Sequence, residues 1–391
     1  MSGPLQGVRV LDLTSVVSGP NATMMLADQG ADVIKVETPG GDIMRRGGFT
    51  PGFVSSNRSK RSIAVDLKQP TGAGILRRLI ATADVLVQNF RPGVADRLGF
   101  GEAAARAIRP DLVYVSISGV GETGPYIRKR VYDPVIQALS GLADIQRNVE
   151  TGRPQMIRTL IADKTTALVA AQAITAALYN KAVRGEGQHV RLAMLDAVVA
   201  YLWPEGMAGY SLVGQEEVAD RAQSAPDLVF RTRDGYIAVG TVSDAEWRGL
   251  CRVLEKPEWI DDPRFRTPSV RSANAAARLS LVGEMLAQGD GADWLARLDE
   301  AEVPCAPVLT RRELLADPQV AANGLIVEFD QPGLGRIRQA RPAARFERTP
   351  AEIRRPAPAI GEHTSEILAE LGDDEAKISA TVAALEREAA R

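Results

Sequence analysis

The chain has 391 residues, a formal net charge of −2 and a pI near 5.9, so its length predicts two domains, and its charge gives no reason to expect a nucleic-acid partner or a basic membrane-binding surface. Two cysteines without CxxC spacing, Cys251 and Cys305, and only two histidines predict no disulfide framework and no metal site. The N-terminus lacks a basic segment followed by an apolar one, and the longest apolar run, near 167–178, is too short to span a bilayer, so a cytoplasmic protein without a membrane partner is expected.

The N-terminal half alternates between strand and helix patterns. Strand patterns occur at 8–13, 32–37, 84–88, 112–117 and 188–192, and helical patterns at 20–30, 70–82, 102–108 and 163–184, with another helix from Leu195. Strands that are apolar throughout and separated by helices predict a parallel sheet covered on both faces. The predicted fold class is therefore α/β, with a Rossmann-like large domain at 1–203.

A smaller α+β domain is expected after Pro204, where the pattern changes. The stretch LVFRTRDGYIAVG (228–240) predicts two short strands around an Asp234-Gly235 turn, and mainly helical segments follow. The predicted organisation is a linker at 204–225, the small domain at 226–325, a return linker at 326–361 that is rich in proline and arginine from 340 onward, and C-terminal helices at 362–391 that pack on the large domain, which 340–391 completes.

Three glycines after a predicted strand, Gly119, Gly121 and Gly124, have GxGxxG spacing. The dinucleotide fingerprint requires an apolar helix directly afterwards, and PYIRKR does not begin one, so a turn-rich loop near a ligand is favoured. His189 lies in a predicted strand, which favours a structural role. His363 precedes a predicted helix, which favours capping.

Two other loops follow predicted strands, where ligands bind in parallel sheets. One contains residues 19–21, and the other, VQNFRPGVADRLG, offers an aromatic ring and arginines for a nucleotide. A basic cluster lies between these loops and is interpreted either as a solvated face or as a group that neutralises phosphates. Its members are Arg45, Arg46, Arg58, Lys60, Arg61 and Lys68.

Asp163 is the acidic residue at the start of LIADKTTALVAAQAITAALYNK, a predicted helix rich in Ala, Leu, Val and Ile. Asp is a favoured N-cap residue, and its carboxylate would accept hydrogen bonds from the amides of Thr165 and Thr166. A carboxylate held ionised at a helix start could also attack an electrophile. The helix pattern alone leaves both interpretations open.

Blocks along nearly the whole chain resemble the class III CoA-transferase family (CaiB/BaiF type), which is related to formyl-CoA transferase and α-methylacyl-CoA racemase. The blocks include GVRVLDLTSVVSGPNATMMLADQGADVIKVE, NRSKRSIAVDLKQPTG, ADVLVQNFRPGVADRLG, YDPVIQALSG, IADKTTALVAAQAITAAL and GEHTSEIL. No single block is diagnostic, whereas so many in the right order give a strong resemblance.

The resemblance implies an interlocked homodimer without a permanently bound cofactor, in which coenzyme A arrives as an acyl-CoA substrate and is passed to a second carboxylic acid. It places Asp163 where the family carries its catalytic aspartate, which would form a mixed anhydride and then an aspartyl-CoA thioester. By the same comparison, the CoA-binding residues are Val16, Val65, Lys68, Asn89, Phe90, Arg97, Leu98, Arg130 and Tyr132.

Two positions depart from the family pattern at the CoA contacts, and a third bears on the choice within the family. Val17 stands where well-studied transferases of the family carry Gln. Thr38 stands where the family often has a basic residue that meets the nucleotide. Tyr132 stands where the racemase branch has a His that moves an α-proton, and a tyrosine is a poor base at neutral pH. A transferase is therefore favoured over a racemase. A non-catalytic acyl-CoA-binding protein, which would keep the basic loops but need no Asp163, is left open. Arginines at 128–130 and 153–158 suggest a dicarboxylic or short-chain acid.

Overall fold

The computed structural model describes residues 3–148, 151–215 and 226–389. They form two compact units, one holding the residues up to Ser211 and from Leu325 onward, and the other holding Leu212–Gly324. Much of the linker predicted at 204–225 falls in 216–225 and so lies outside the described residues.

The larger unit is built on a parallel sheet of six described strands. They are β1 (Arg9–Leu13), β2 (Asp32–Glu37), β3 (Arg61–Ala64), β4 (Val85–Gln88), β5 (Val113–Ser118) and β6 (His189–Ala193), in the order β3-β2-β1-β4-β5-β6. Every neighbouring pair is parallel, which confirms the predicted α/β class and parallel sheet. The order reverses between β1 and β4. At such a switch point the loops leaving the two strands diverge and open a crevice for a ligand.

Helices cover both faces of this sheet. They are α1 (Ser18–Asp28), α2 (Thr50–Asn57), α3 (Pro70–Thr82), α4 (Val94–Arg97), α5 (Glu102–Ile108), α6 (Asp133–Leu139), α7 (Leu142–Ile145), α8 (Ile161–Arg184) and α9 (Met194–Leu202), with Thr364–Glu370 and Glu375–Ala389 near the C-terminus. Strand residues alternate between two cores. Val10 and Val113 pack with α1 and α8 on one face. Leu11 and Leu86 pack with α3 and the C-terminal helices on the other face.

Strand β3 lies at one edge of the sheet and was not predicted from the sequence. Its basic neighbours are buried in ion pairs and are not a solvated face: Arg58 pairs with Asp28 at 2.8 Å, Lys60 with Asp12 at 2.8 Å and Arg61 with Asp32 at 2.6 Å. His363 was predicted to cap the helix Thr364–Glu370, but its ring makes no cap bond. The ring instead accepts a hydrogen bond from the backbone N–H of Ser62 in β3. The C-terminal segment thus covers the outer edge of β3, which would otherwise be open to solvent.

The smaller unit combines an antiparallel sheet with helices. Its described strands are Val229–Arg231, Tyr236–Val239 and Cys305–Pro307, and its described helices are Asp244–Val253, Pro268–Ala273, Ala275–Leu286, Gly291–Glu300 and Pro318–Ala322. The two strands predicted around the Asp234-Gly235 turn are confirmed. The third was not predicted, because VPCAPV is short and contains two prolines. Cys251 is buried in the apolar core of this unit, and Cys305 packs against it.

Segment 326–361, predicted as a return linker, begins with an antiparallel hairpin of Ile326–Gln331 and Gly335–Ala340. Its turn places Gly333 and Gly335 at φ values of 79° and 78°, a conformation that glycine adopts without steric cost. None of the described helices is long and apolar enough to cross a membrane. The described residues contain no group of three or more His, Cys, Asp or Glu side chains that could hold a metal ion.

Candidate active site

Asp163 is the third residue of α8 and not its N-cap, so the predicted capping role is wrong. The N-cap position belongs to Leu160, which makes no side-chain cap bond. The N–H of Asp163 is one of the donors that the first turn of a helix leaves without an intrahelical partner. It is bound by Asp133 Oδ2 at 3.1 Å. Asp133, the first residue of α6, therefore caps α8 from outside the helix.

The carboxyl group of Asp163 meets the start of α1. Asp163 is 8% exposed, and Ser18 lies close enough to its carboxylate, through both its hydroxyl and its backbone N–H, to influence the pKa of that group. Burial, followed by the charge of Asp133, raises the pKa of Asp163 from 3.8 to about 6, although the polar groups of Ser18 oppose this shift. The group is thus ionised at neutral pH but more basic than an ordinary aspartate, which suits a nucleophile.

The loop between β1 and α1 is held from two sides. Asn89, which follows β4, exchanges two hydrogen bonds with Ser15: the Ser15 N–H donates to Asn89 Oδ1 at 3.0 Å, and Asn89 Nδ2 donates to the Ser15 carbonyl at 2.8 Å. Asp42 accepts the N–H of Val16 at 3.2 Å. Val16 has a φ of 72°, which β-branched residues rarely adopt, so these contacts hold a strained residue. The structure thus brings the predicted residues Val16 and Asn89 together at the switch point.

Three other predicted CoA residues, Val65, Phe90 and Leu98, pack on one apolar cluster. Val65 is 1% exposed and its N–H donates to the Glu37 carbonyl at 2.8 Å, so this residue belongs to the core. The Phe90 ring meets Phe100 edge to face, with centroids 5.7 Å apart. The remaining predicted residues are exposed, and no hydrogen bond within the described ranges joins their side chains to Asp163. They are Lys68, Arg97, Arg130 and Tyr132.

Sequence reasoning missed Ser18 and Asp133 as neighbours of Asp163. The signals available were Ser18-Gly-Pro directly after a strand and loop, and Asp133-Pro at a helix start. The structural role predicted for His189 is confirmed: its Nε2 lies 2.8 Å from Ser116 Oγ, and its ring meets Tyr114 edge to face. The loop with Gly119 leads through turns to Asp133 without the helix that a dinucleotide fingerprint needs.

Comparison with known proteins identifies the family. Residues 5–364 match the family model described as CoA-transferase family III. The chain belongs to CoA-transferase family III. As a member of this family, it transfers CoA between acyl-CoA donors and carboxylic acid acceptors.

Several known proteins align with nearly the whole length of this chain. The chain is 37% identical over 381 residues to the succinyl-CoA:glutarate CoA-transferase of Homo sapiens, covering 94% of this chain and 86% of that protein. It is 33% identical over 414 residues to the formyl-CoA:oxalate CoA-transferase of Escherichia coli, covering 97% and 98%. The crystal structure of a CaiB/BaiF family protein from Brucella suis has a TM-score of 0.81 and 33% identity, covering 95% and 100%.

Gly19, beside Ser18 in this family III site, leaves no room for a side chain. A Cβ atom there would lie 2.4 Å from Thr14 Cβ, so Gly19→Ala is expected to displace the start of α1. We expect a loss of about 1–3 kcal/mol in the free energy of unfolding, as in other overpacked sites, and slower CoA transfer, measured by urea titration and by a coupled assay. Gly74→Ala in α3 is the control, because a Cβ there meets nothing within 4 Å. Equal behaviour of the two variants would contradict the prediction.

Proposed function

We propose that this family III member transfers CoA through covalent intermediates on Asp163. The Asp163 carboxylate attacks the thioester carbonyl of the donor acyl-CoA, the C–S bond breaks, and CoA thiolate leaves behind a mixed anhydride. The thiolate attacks the Asp163 carbonyl and releases the donor acid as a carboxylate, which gives an aspartyl-CoA thioester. The acceptor carboxylate attacks this thioester to form a second anhydride and release CoA thiolate. That thiolate then attacks the acceptor carbonyl, which forms the new acyl-CoA and frees Asp163.

The observation that carries the proposal is a buried carboxyl group placed where two helices begin. The starts of α1 and α8 both present backbone N–H groups and positive dipole ends, which favour an anion. Burial excludes the water that would hydrolyse an anhydride or thioester. The N–H of Ser18, at the start of α1 beside the Asp163 carboxylate, is suited to stabilise the oxyanion formed when the Asp163 carbonyl is attacked.

We place CoA along the carboxyl edge of the sheet, against the nine residues that the family resemblance indicates. The loops after β1 and β4, with Val16 and Asn89, form the switch point where ligands bind in such sheets. The exposed side chains of Lys68, Arg97 and Arg130 are suited to pair with the phosphates of CoA. The half-buried Phe90 ring is suited to contact its adenine base.

A dicarboxylic acid is the acceptor that we favour. The names of two relatives above specify glutarate and oxalate, which are both dicarboxylates. Arg158 lies in the segment that enters α8, between two residues whose backbones bond Gln137 next to Asp133. An arginine there is suited to bind the distal carboxylate. Assays with succinyl-CoA and a panel of acids test this: glutarate and oxalate are expected to react faster than long aliphatic monocarboxylates, and equal rates would contradict the assignment.

We also propose a homodimer, with interlocking as the family resemblance implies. Helix α8 exposes Leu168, Tyr179 and Val183, and helix α9 exposes Tyr201. Tyr179 is 72% exposed, and large apolar side chains exposed on one helix are suited to an interface. Light scattering on the purified protein should give twice the chain mass, and a monomer at micromolar concentration would contradict the proposal.

The acylation of Asp163 should depend on pH. In single turnovers at saturating acyl-CoA, the rate is expected to rise through a midpoint near 6, because protonated Asp163 cannot attack and the pKa is about 6. Quenched-flow measurement of acyl-CoA consumption from pH 5 to 8 checks this. A rate that is flat over that range, or that falls as the pH rises, would exclude Asp163 as the titrating nucleophile.

Trapping with hydroxylamine tests the proposed function directly. The protein is incubated with succinyl-CoA and hydroxylamine, digested, and searched by mass spectrometry for a hydroxamate at Asp163. Asp196→Asn is the matched control, because Asp196 is also the third residue of its helix but is exposed, and it should label as the wild type does. A racemase would instead exchange the substrate α-hydrogen in deuterated water and leave Asp163 unmodified. A non-catalytic binding protein would do neither.

A further inference from the structure

Asp133 and Gln137 form a buried pair one turn apart on α6, directly beside Asp163. Both are almost fully buried, and Gln137 Nε2 donates to Asp133 Oδ1 at 2.6 Å. The other oxygen of Asp133, Oδ2, accepts the N–H of Asp163 at 3.1 Å. The carboxylate that caps α8 is therefore itself held in orientation by the glutamine amide.

Gln137 also binds the segment through which the chain enters α8. Its Nε2 lies 3.2 Å from the Ile157 carbonyl and 3.3 Å from the Thr159 carbonyl, and its Oε1 accepts the Ile157 N–H at 3.0 Å. Both sides of one amide are thus used on the short segment 157–159, which ends two residues before α8. Gln137 holds Asp163 from two directions, through the residues that precede it and through the carboxylate that caps it.

We propose that Gln137 is a positioning residue for Asp163. The inference rests on the proposed function, because it matters only if Asp163 must reach a thioester carbonyl. The Asp163 side chain alternates between a charged carboxylate and neutral acyl forms, while its backbone has to stay fixed for each attack. A helix end whose first N–H groups lose their acceptor frays, and a displacement of about 1 Å can cost on the order of a hundredfold in rate.

Gln137→Leu and Gln331→Leu form a matched pair of variants. Gln331 is also buried and also bonds a backbone at both ends of its amide, donating to the Ala357 carbonyl at 2.9 Å and accepting the Ala357 N–H at 3.0 Å. It lies in the hairpin that begins segment 326–361. Both changes therefore remove a buried bidentate amide, but only one removes contacts beside Asp163.

The readout is the rate of hydroxamate formation at Asp163 at saturating and limiting succinyl-CoA. Gln137→Leu is expected to lower the saturated rate by about tenfold or more while the KM for succinyl-CoA changes by less than about twofold, because Gln137 is 2% exposed and its amide bonds only protein groups. Gln331→Leu is expected to keep the saturated rate. Gln137→Asn, which keeps an amide but shortens its reach, should behave like Gln137→Leu and guards against a variant that fails to fold.

Asp133→Asn adds a second readout that general loosening would not move. Removing the charge that raises the pKa of Asp163 should lower the pH midpoint of acylation below that of the wild type. An unchanged saturated rate in both Gln137 variants, or an equal loss in the Gln331 variant, would overturn the proposal. Absence of any hydroxamate at Asp163 in the wild type would instead remove the proposed function, and this inference with it.

Discussion

Asp163→Asn is expected to lower the rate of CoA transfer by at least about a thousandfold, as the removal of a covalent nucleophile does in other enzymes. The side-chain amide is nearly the same size as the carboxyl group but cannot accept an acyl group and then be displaced by CoA. With no carboxyl group to hold the thioester, an ATP-independent exchange between two acids has no low-energy route. A coupled assay with succinyl-CoA and glutarate measures the loss.

The same variant is expected to be more stable than the wild type above pH 6. The folded pKa of Asp163, about 6, is raised above the ordinary value of 3.8, so the folded protein binds this proton more tightly than the unfolded chain does. The wild type therefore loses stability as the pH rises from about 4 to about 6, by up to about 3 kcal/mol, and does not regain it. Asn does not ionise and avoids this loss, so its Tm advantage should be larger at pH 8 than at pH 4.5.

Asp196→Asn is the control for both measurements. Because Asp196 is exposed in the first turn of α9, its loss should leave transfer intact and remove only a small favourable interaction with the helix dipole. If Asp163→Asn retained transfer near the rate of Asp196→Asn, the covalent route would be excluded. If it lost transfer but was no more stable at pH 8, the raised pKa would be excluded while the nucleophile remained.

The sheet of the larger unit was predictable because its strands are buried on both faces, which requires apolar side chains at nearly every position. Strand β3 escaped because RSIA has four residues and basic neighbours. Those neighbours are buried, and their partners Asp12 and Asp28 come from β1 and α1. A local run of charges is normally interpreted as exposed to solvent. Here the acidic partners that allow its burial are distant in sequence, so the local pattern could not reveal that burial.

Asp163 could be located by resemblance, but its chemical environment could not be predicted from the sequence. Burial sets the upward direction of its pKa shift, and the two neighbours that modify this shift, Asp133 and Ser18, come from two other helices. The N-cap interpretation failed for a related reason. Helix α8 extends to Ile161 because Asp133 supplies a cap in space, so no capping residue is needed within the local sequence.

Lys60→Met is expected to lower the free energy of unfolding by about 3–5 kcal/mol, as when one partner of a buried ion pair is removed. Lys60 Nζ is fully buried and donates to Asp12 Oδ2, Asn57 Oδ1 and the Pro20 carbonyl, each at 2.8 Å. Burial alone would raise the pKa of Asp12, but Lys60 and Lys35 overcome it and hold that pKa well below its usual range. Methionine fills the space and leaves a buried carboxylate without its main counter-ion.

Urea titrations of three variants distinguish the charge from the volume. Lys377→Met, at an exposed lysine whose partner Asp373 keeps Arg78, should cost less than about 1 kcal/mol. Asp12→Leu with Lys60→Met should recover much of the loss, because replacing both partners by apolar groups leaves no uncompensated charge. Since Lys60 also holds the Pro20 carbonyl near the start of α1, Lys60→Met should slow transfer even where the protein remains folded, by loosening Ser18 against Asp163. A stable Lys60→Met protein with full transfer would show that this pair supports neither the sheet nor the site.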